Sequence, residues 1–452
     1  MKVVKFGGSS LADGESFAQA IKIITADPER RVIVTSAPGK RNPDDTKVTD
    51  LLIEYAHRVL NQQPYDDVLH QIITRYLAIA NYFNIPQEKL EDLIQRLRNL
   101  PTGHYPNSHY LMAAFKAHGE RSNAMLMAII LHHLGYEARF VTPSEAGIRV
   151  TGTPNNANVI PETYSLLDRF TAKQSELLIF PGFYGITLAG QIATFSRGGS
   201  DITGAILARG LHADLYENFT DVDAIYSANP NVITDPQPIT KMTYREMREL
   251  SYAGFSVFHD EALIPAIQGN IPINVKNTQH PEKPGTLIVP EKNFQPRDIV
   301  TGIVSDKHFA ALYLHKYLLN KQIGFTLRIL KILARHHIPY EHMPSGIDDI
   351  TIILDRRLLN DQLIDEIGNE IQEEVNPDHL EWINNYAITM VVGEGMRNRI
   401  GVINDILEPL AKHHIAVPMI NQGASRISIM IGTYDKDADA AVQAIYHRFF
   451  AN

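Results

Sequence analysis

The first 295 residues alternate short apolar runs with longer amphipathic stretches. Short runs rich in β-branched and aromatic residues predict strands, whereas apolar residues spaced three and four apart predict helices. The predicted strands are 2–6, 31–36, 138–142, 178–183, 191–195, 213–218 and 271–276. The stretch 54–134 is predicted to be mainly helical, with a loop at 101–109. This alternation indicates an α/β fold with a mostly parallel sheet, helices on both faces, and ligand sites at the carboxyl ends of the strands.

A second pattern follows a stretch at 284–300 that contains three prolines and a glycine and is predicted to be a linker. Beyond it the chain repeats itself at a shift of 77 residues, so that Ile323-Gly324 corresponds to Ile400-Gly401. Each repeat is predicted to run strand, helix, strand, strand, helix. The second repeat lacks a final strand, which would leave an open sheet edge. We expect the apolar run 299–304 to fill that edge, so that the two repeats are interleaved.

The stretch Arg197-Gly198-Gly199-Ser200-Asp201 lies between the strand 191–195 and a helix predicted from Ile202 to Gly210. A glycine pair at a strand-to-helix turn lets backbone N–H groups approach an anion closely. Arg197 adds a planar fork suited to a carboxylate or phosphate, and Asp201 adds a carboxylate at the helix N-terminus. The alternative is an ordinary capped turn with Asp201 as N-cap and Arg197 in solvent. The stretch alone leaves both interpretations open.

A related arrangement begins the chain, where the strand 2–6 continues into Gly7-Gly8-Ser9-Ser10 and a helix starting near Asp13. The turn offers N–H groups and two hydroxyls to a phosphate. Lys5 places a cation at the end of the strand. This is not a Walker A loop, because the lysine precedes the glycines.

Composition narrows the class of protein. The net charge of −9 argues against a nucleic-acid partner, which would require a basic excess. No cysteine is present, so disulfides and thiolate metal sites are excluded. We find no signal peptide and no run of 18 apolar residues, so we expect no membrane association and a cytoplasmic location. The three His-His pairs each lie near a predicted helix end and are assigned structural or surface roles rather than metal ligation.

Together, the two turns resemble those of the aspartate kinases, which belong to the amino-acid kinase family. That family carries Lys-Phe-Gly-Gly-(Thr/Ser)-Ser on its first strand and Arg-Gly-Gly-Ser-Asp at the later turn. Further matching segments occur in the same order: Lys47-Val48-Thr49-Asp50-Leu51-Leu52, Gly119-Glu120-Arg121, Pro181-Gly182-Phe183-Tyr184-Gly185, Thr220-Asp221-Val222, Lys276-Asn277-Thr278 and Pro284-Gly285-Thr286. The resemblance covers essentially the whole chain. It implies a three-layer αβα amino-acid kinase domain at 1–295, followed by two ferredoxin-like βαββαβ ACT domains at 305–380 and 381–452.

The resemblance implies ATP-dependent phosphorylation of the side-chain carboxylate of L-aspartate to 4-phospho-L-aspartate, the first step toward lysine, threonine and methionine. Transfer of this kind depends on positioning and charge neutralisation more than on covalent help. Lys5 and Asp201 are the expected catalytic residues, with Lys5 acting on the transferring phosphate and Asp201 fixing Lys5. Asp201 could also hold a Mg²⁺ ion or water, although no residue is assigned as a metal ligand.

The expected substrate residues are assigned in the same way. Arg197 would hold the α-carboxylate of aspartate, and Glu120, placed at a helix start after Gly119, would hold the ammonium. The alternative for Glu120 is a helix N-terminal acid that the dipole stabilises. The remaining pocket positions of the resemblance are Ser36, Thr49, Phe183 and Ser200. For Thr49 the alternative is the N-cap of a helix at 50–60.

The nucleotide is expected to bind residues of both motifs and of the segment that follows strand 213–218. These residues are Lys5, Gly7, Gly8, Ser9, Thr220, Asp221, Tyr226 and Lys276. The chain departs from the family pattern here, since Ala224 replaces glycine, Asn229 replaces aspartate and Asn231 replaces arginine. The missing cation at 231 puts the nucleotide assignments in doubt.

The ACT pair implies regulation by an end-product amino acid, with lysine favoured over threonine or methionine. The expected effector residues lie in two loops of the first repeat: Leu319, Gln322, Gly324, Phe325, Ser345 and Asp348. In the resembling family these loops meet across a two-fold contact, which implies a homodimer or a dimer of dimers. Asp348 and Asp349 would attract a cationic side chain, unless they form only a solvated acidic turn.

Two other functions remain open at this stage. The chain could be a kinase for another amino acid such as glutamate, against which the ACT pair and the Arg-Gly-Gly-Ser-Asp turn argue. It could also be an amino-acid sensor with an inactive kinase domain, which the altered segment 224–231 suggests.

Overall fold

A computed structural model of the protein describes residues 1–170, 176–196, 198–255, 258 and 260–450. Its helices and strands are numbered here in chain order. The strands are β1 Lys2–Phe6, β2 Arg30–Thr35, β3 Ala138–Phe140, β4 Arg149–Val150, β5 Leu177–Pro181, β6 Tyr184–Thr187, β7 Ile192–Thr194, β8 Leu215–Thr220, β9 Ile225–Tyr226, β10 Pro238–Ile239, β11 Lys241–Thr243, β12 Ile273–Asn277, β13 Thr286–Val289, β14 Gly302–His315, β15 Asp349–Asp355, β16 His379–Val392, β17 Met419–Asn421 and β18 Ser428–Tyr434.

The helices are α1 Gly14–Thr25, α2 Val48–Leu60, α3 Asp66–Tyr82, α4 Glu91–Arg98, α5 Ser108–His133, α6 Pro143–Ala146, α7 Glu162–Asp168, α8 Gly199–Gly210, α9 Tyr244–Tyr252, α10 Asp260–Gly269, α11 Phe325–Arg335, α12 Asp361–Val375, α13 Val402–Lys412 and α14 Ala438–Phe450. Among the residues that the structure describes, no helix is long and apolar enough to span a bilayer.

The larger sheet has the strand order β11-β13-β12-β8-β1-β2-β5-β3. Its strands run parallel except where β13 pairs antiparallel with β12. The predicted strands of the first 295 residues are present, but the one at 191–195 is β7 and belongs to a separate three-stranded sheet, β4-β6-β7. The prediction of a linker at 284–300 was wrong over 286–289, because Thr286–Val289 is a strand of the main sheet.

The two faces of the larger sheet are covered by different helices. Val4 and Phe6 of β1 belong to an apolar core formed with α1, α2, α3 and α5. Side chains alternate along a strand, so Lys5 points to the other face, where α8 packs against β1, β2 and β8. Helix α1 begins as predicted, because the Asp13 side chain accepts a hydrogen bond from the backbone N–H of Ser16 at 2.9 Å and caps the helix.

The C-terminal repeats share one five-stranded sheet with the order β15-β14-β16-β18-β17. Gly302, Ile303 and Val304 of β14 pair antiparallel with Val392, Val391 and Met390 of β16, which is the pairing expected for the run 299–304.

The exchange between the repeats is mutual. The second half of β14 pairs with the first half of β16, from Ala311 opposite Ile383 to His315 opposite His379, and also with β15. Each of these two strands, 14 residues long, therefore serves both repeats. The second strand predicted for the first repeat, which would fall at 339–345, does not form a ladder. In this segment only His342 and Ser345 form isolated bridges to β15.

Contacts divide the chain into two compact units. The first comprises Met1–Ile225, Pro238–Arg248 and Ser256–Phe294, and the second comprises Tyr226–Gln237, Glu249–Phe255 and Gln295–Asn452. Ala228 and Ile233 belong to the apolar core of the second unit, which also includes α13 and α14. The predicted boundary at 295 therefore separates the sheets, but two earlier segments belong to the second unit.

Candidate active site

The start of α8 forms one wall of the site. Gly198, in the left-handed conformation with φ 77°, is the N-cap, and the helix begins at Gly199 rather than at Ile202. Asp201 therefore lies in the first turn and is not the N-cap, which corrects the alternative raised for this stretch. A Cβ placed on Gly199 would lie 2.5 Å from Cδ2 of Phe183, so glycine is required for the close approach.

Lys5 and Asp201 form a buried ion pair. Lys5 Nζ lies 2.6 Å from Asp201 Oδ1, and the two side chains are 10% and 11% exposed. Asn218 of β8 donates from Nδ2 to the same Oδ1 at 2.8 Å and accepts from Lys5 Nζ at 3.4 Å. The three groups thus form a closed polar triangle, in which the amide fixes the carboxylate and the carboxylate fixes the ammonium.

The turn after β1 is a single 3₁₀ turn, Ser9–Leu11, with Gly8 before it. Gly7 N–H donates to Phe219 O at 3.1 Å, so it supports the turn rather than a phosphate. Ser10 is buried, and its hydroxyl pairs with Thr278 Oγ1 at 2.6 Å. Of the two hydroxyls expected to face a ligand, Ser9 is the exposed one. The leading N–H groups of such a turn lack partners within it, and they are suited to an anion.

Glu120 lies in the middle of α5, not at a helix start, so the predicted placement and the alternative of a helix N-terminal acid were both wrong. The helix continues through Gly119 without a break. A Cβ at this position would lie 2.8 Å from the Ala37 Cβ and 3.2 Å from Leu52 Cδ1. Glycine at this position permits close packing rather than a turn. Glu120 is 6% exposed, and its Oε1 accepts the N–H of Ala37 at 3.2 Å.

The second oxygen of Glu120 has no hydrogen-bond partner among the described residues. Burial raises the pKa of Glu120 to about 8. Thr35 Oγ1, Asn123 Oδ1 and the Tyr184 hydroxyl are likewise buried with no hydrogen-bond partner among the described residues. Buried polar atoms in native proteins normally have partners, so this group of unpartnered atoms is a candidate binding surface for a polar ligand.

Ser36 and Thr49 lie on the two sides of the loop that follows β2. The backbone N–H of Ser36 donates to Phe6 O at 3.2 Å, and its carbonyl accepts from Asn123 Nδ2 at 2.6 Å. Lys47 is the N-cap of α2, so Thr49 is the second helical residue and the N-cap alternative for it was wrong. Both residues are half-buried.

Phe183 and Ser200 meet where β5 ends and α8 begins. Phe183 has φ 76°, which is unusual for a residue with a side chain, and its N–H donates to Thr203 Oγ1 at 3.0 Å. A Cβ on Gly182 would lie 2.5 Å from Ser200 Oγ. The ammonium of Lys116 lies 5.6 Å from the centre of the Phe183 ring. Arg197, assigned to the substrate carboxylate, lies outside the described residues.

The nucleotide assignments are not all brought together. Thr220 ends β8 beside Asp221, and its Oγ1 donates to Asp221 Oδ1 at 3.2 Å. Lys276 pairs in register with Phe219 on the sheet face opposite Lys5, with its ammonium 6.0 Å from the Phe219 ring centre. The structure therefore does not place Lys276 beside the Lys5–Asp201 pair. Tyr226 belongs to the second unit.

The effector loops lie against each other within one chain. Asp348 Oδ1 accepts the N–H of Leu318 at 2.8 Å, and the N–H of Asn320 donates to Ile347 O at 3.2 Å. Asp349 accepts from the Tyr313 hydroxyl at 2.5 Å and contacts His315 Nδ1 at 2.8 Å. Both acids are therefore engaged in holding the loops, rather than forming a free acidic turn.

The other effector positions divide into backbone and core residues. Gly324 has φ 77° with open space where a Cβ would be, and Gln322 and Ser345 lie in the loops beside it. Phe325 is 2% exposed and belongs to the apolar core under α11, which Leu319 also contacts. The Phe325 side chain is therefore occupied by the apolar core, and its backbone is the part left for an effector.

Asn218 and Asn123 are site residues that sequence reasoning missed. A signal was present for Asn218, because a polar amide in a central strand must find a partner when it is buried, and it is 2% exposed. Asn123 follows Glu120 by one helical turn on α5 and is 0% exposed. Recognising α5 as one continuous helix would have placed Glu120 and Asn123 on the same helix face.

Comparison with known proteins identifies the family of the chain. Residues 1–277 match the model of the amino acid kinase family, and residues 390–449 match an ACT domain. Aspartokinase 3 of Bacillus subtilis is 46% identical over 451 residues, covering 100% of this chain and 99% of that protein.

Solved structures give the same result. The aspartate kinase of Clostridium acetobutylicum has a TM-score of 0.88 at 37% identity, covering 99% of this chain and 100% of that one. Aspartokinase III of Escherichia coli with aspartate and ADP has a TM-score of 0.79 at 25% identity, and its complex with lysine and aspartate has 0.78. The first of these complexes covers 100% of both chains, and the second covers 100% of this chain and 99% of that one.

The chain therefore belongs to the amino acid kinase family, with an ACT region after the kinase domain. Within that family it groups with the aspartate kinases, which it matches along its whole length.

Proposed function

We propose that this chain transfers the γ-phosphoryl group of ATP to the side-chain carboxylate of L-aspartate, giving 4-phospho-L-aspartate and ADP. The observation that carries the proposal is the buried triangle of Lys5, Asp201 and Asn218 at the carboxyl ends of β1 and β8. A cation held in a fixed position, with little water around it, stabilises charge that develops during transfer. Catalysis of phosphoryl transfer depends mainly on such electrostatic stabilisation and on positioning of the reactants.

The acceptor requires no strong base, because a carboxylate is already ionised at neutral pH. Lys5 is the group that contacts the transferring phosphate, and the open N–H groups beside Gly8 and Ser9 hold the neighbouring phosphates. Asp201 and Asn218 keep the Lys5 ammonium in place through Oδ1 of Asp201. Thr220 and Asp221 at the end of β8 contact the nucleoside side of ATP.

The amino acid is recognised through its charges. The unpartnered Oε2 of Glu120 accepts a hydrogen bond from the α-ammonium of aspartate. Arg197 is assigned to the α-carboxylate on the basis of the sequence alone. Thr35, Asn123 and Tyr184 present further buried polar atoms at this wall.

Mg²⁺ fits the donors that remain. Lys5 and Asn218 both contact Oδ1 of Asp201, which leaves Oδ2 as one carboxylate oxygen for a cation. Mg²⁺ commonly binds one or two carboxylates plus phosphate oxygens and water. Bound with ATP, the ion would neutralise phosphate charge. Among the described residues no group of three or more His, Asp or Glu side chains forms a protein-only metal site.

The test is release of ADP by the purified chain with ATP and Mg²⁺, in separate reactions with L-aspartate, L-glutamate and no amino acid. The proposal expects release that depends on aspartate and is at least a hundredfold weaker with glutamate. Release driven equally by glutamate would support a kinase of wider acceptor range. Binding of amino acids without ADP release would support a sensor with an inactive kinase domain.

Lysine is the proposed effector, and a homodimer through the first repeat is the proposed assembly. The apolar side chains around the effector loops are left exposed in the single chain, with Ile323 at 102%, Ile347 at 70%, Tyr317 at 69% and Leu318 at 65%. Exposed apolar patches of this kind mark protein–protein contacts, and a two-fold contact would bury the same patch on both copies. The Escherichia coli relative has been solved in complex with lysine and aspartate, which supports lysine as the ligand to test first.

Regulation is tested by titrating activity and heat of binding with lysine, threonine and methionine separately. We expect binding and inhibition by lysine, with a coupling of about 1–3 kcal/mol between effector and substrate. Absence of lysine binding at millimolar concentration would refute the effector assignment. If none of the three binds, the repeats have a role in assembly alone. That role is tested by comparing the sedimentation of Ile323→Asp with that of the native chain.

A further inference from the structure

The loop 37–47 connects the two halves of the active site. Gly39 N–H donates to Gly8 O at 2.8 Å, on the phosphate side, and Ala37 N–H donates to Glu120 Oε1 at 3.2 Å, on the amino-acid side. A Cβ on Gly39 would lie 2.6 Å from the Gly8 carbonyl carbon, so the two backbones are in direct contact. The position of this loop therefore sets the position of both half-sites.

The loop has a buried start and an exposed remainder. Residues 37–39 are buried, whereas residues 40–44, 46 and 47 are exposed and mostly charged or polar. Order in the exposed part must come from hydrogen bonds and ion pairs rather than from burial of apolar surface.

Arg75 of α3 supplies those bonds. Its side chain is 4% exposed, and Nη1 donates to Gly39 O at 2.9 Å. Nη2 donates to Asp45 Oδ2 at 2.7 Å and to Thr46 O at 3.2 Å. One guanidinium thus joins the beginning and the end of the loop through its planar fork.

Asp45 is held from two sides, by Arg75 within the protein and by Arg41 at the surface. The bonds from Arg41, followed by the charge of Arg75, hold the pKa of the Asp45 carboxyl well below its usual range. The acid therefore remains ionised over the working range of the protein, and so does the arginine that it meets.

We propose that Arg75 is a positioning residue for both substrates. Resting on the proposed function, the inference is that Arg75 fixes the loop 37–47, and the loop in turn fixes the phosphate turn through Gly8 and the ammonium-binding carboxyl through Ala37. Without Arg75 the loop would be ordered only when substrates bind, and the binding of each substrate would be weakened by that ordering.

The experiment compares Arg75→Met, Arg75→Lys and the native chain. For Arg75→Met we expect the KM values for ATP and for aspartate both to rise at least tenfold, while kcat at saturation stays within threefold. The KM values of Arg75→Lys should lie between those of the native chain and Arg75→Met, because a single ammonium cannot bridge Gly39 O and Asp45 together. The matched control is Arg58→Met, since Arg58 also bonds two carboxylates and a carbonyl but lies on α2 away from the loop.

Hydrogen exchange provides a readout that a merely structural role would not give. In Arg75→Met the amides of Gly39 and Val48, which donate to Gly8 O and Pro38 O, should exchange at least tenfold faster. The amides of Ile33 and Val34 in β2 should keep their native rates. Faster exchange in β2 as well would indicate general destabilisation and overturn the inference.

The kinetic result can also overturn it. Unchanged KM values in Arg75→Met, or a fall in kcat with unchanged KM values, would show that Arg75 does not position substrates. If the native chain shows no aspartate-dependent ADP release, the proposed function fails. The exchange comparison remains readable in that case, because it requires no activity.

Discussion

The raised pKa of Glu120 predicts a specific pH dependence for aspartate binding. Its carboxyl is 6% exposed, one oxygen has no partner within the described structure, and burial raises its pKa to about 8. In the empty site at pH 7 the carboxyl is therefore mostly protonated. The ammonium of aspartate requires the ionised form, so binding must release a proton.

The magnitude follows from the one-unit difference between pH 7 and the pKa of about 8. Keeping the carboxyl ionised at pH 7 weakens binding roughly tenfold, which is about 1.4 kcal/mol. The KM for aspartate should therefore fall roughly ninefold from pH 6 to 7 and roughly fivefold from pH 7 to 8, with a plateau above about pH 9. Calorimetry in two buffers of different ionisation heat should show about one proton released per aspartate at pH 7.

Glu120→Gln is the matching perturbation, because it keeps the shape and removes the charge. The variant should bind aspartate more weakly than the native chain at pH 8, with no pH dependence and no proton release. A native KM that is independent of pH between 6 and 8 would show that aspartate binding does not require ionisation of Glu120. Persistence of the slope in Glu120→Gln would assign the titration to another group.

The same shift predicts a pH dependence of stability, with a definite sign. The folded pKa of about 8 lies above the ordinary glutamate pKa of 4.5, so at intermediate pH the folded state holds a proton that the unfolded state has released. The stabilising contribution is complete below about 4.5 and is lost as the pH rises through 8. The melting temperature of Glu120→Gln, relative to the native chain, should therefore rise between pH 5 and 8.

The remaining predictions concern other parts of the molecule. Asn218→Leu should lower kcat at least tenfold because the Asp201 carboxylate loses its donor, and steady-state kinetics would show this. Gly119→Ala should destabilise the protein by about 1–3 kcal/mol in denaturant unfolding, because its Cβ would meet Ala37. Arg197→Ala should raise the KM for aspartate strongly, and an unchanged KM would remove Arg197 from the substrate site. Ser345→Leu should weaken inhibition by lysine while uninhibited activity stays intact, measured by titration.

The arrangement around Lys5 and Asp201 was predictable from sequence because it follows from parallel-sheet geometry. The strands β1 and β8 are central, their carboxyl ends meet at one edge, and α8 packs on the face to which Lys5 points. The helix start at Asp13 was also predictable, since the capping interaction is local.

Features decided by tertiary packing were not predictable. Gly119 was interpreted as a helix start, but it permits α5 to approach Ala37 inside a helix of 26 residues. The strand Thr286–Val289 was hidden in a stretch of prolines and glycine, and its pairing with β11 and β12 makes it a strand. Lys276 was assigned by its motif, yet the register with Phe219 sets the face that it occupies.

In the C-terminal part, too, some features were predictable from the local pattern and others depend on tertiary packing. The repeat and the role of 299–304 at an open edge follow from the apolar pattern, because an unpaired edge needs a partner. That β14 and β16 each continue unbroken through both repeats depends on long-range pairing. The same holds for segments 226–237 and 249–255, whose membership of the second unit is not visible in local sequence.

The most direct test of the account is transfer of labelled γ-phosphoryl groups from ATP to aspartate in a single turnover, comparing the native chain with Lys5→Ala. The account predicts that transfer falls at least a hundredfold in the variant, because the cation buried beside Asp201 is lost. Binding of aspartate measured by calorimetry should change by less than threefold. Transfer that survives within a few-fold of the native rate would contradict the assignment of Lys5 and the mechanism built on it.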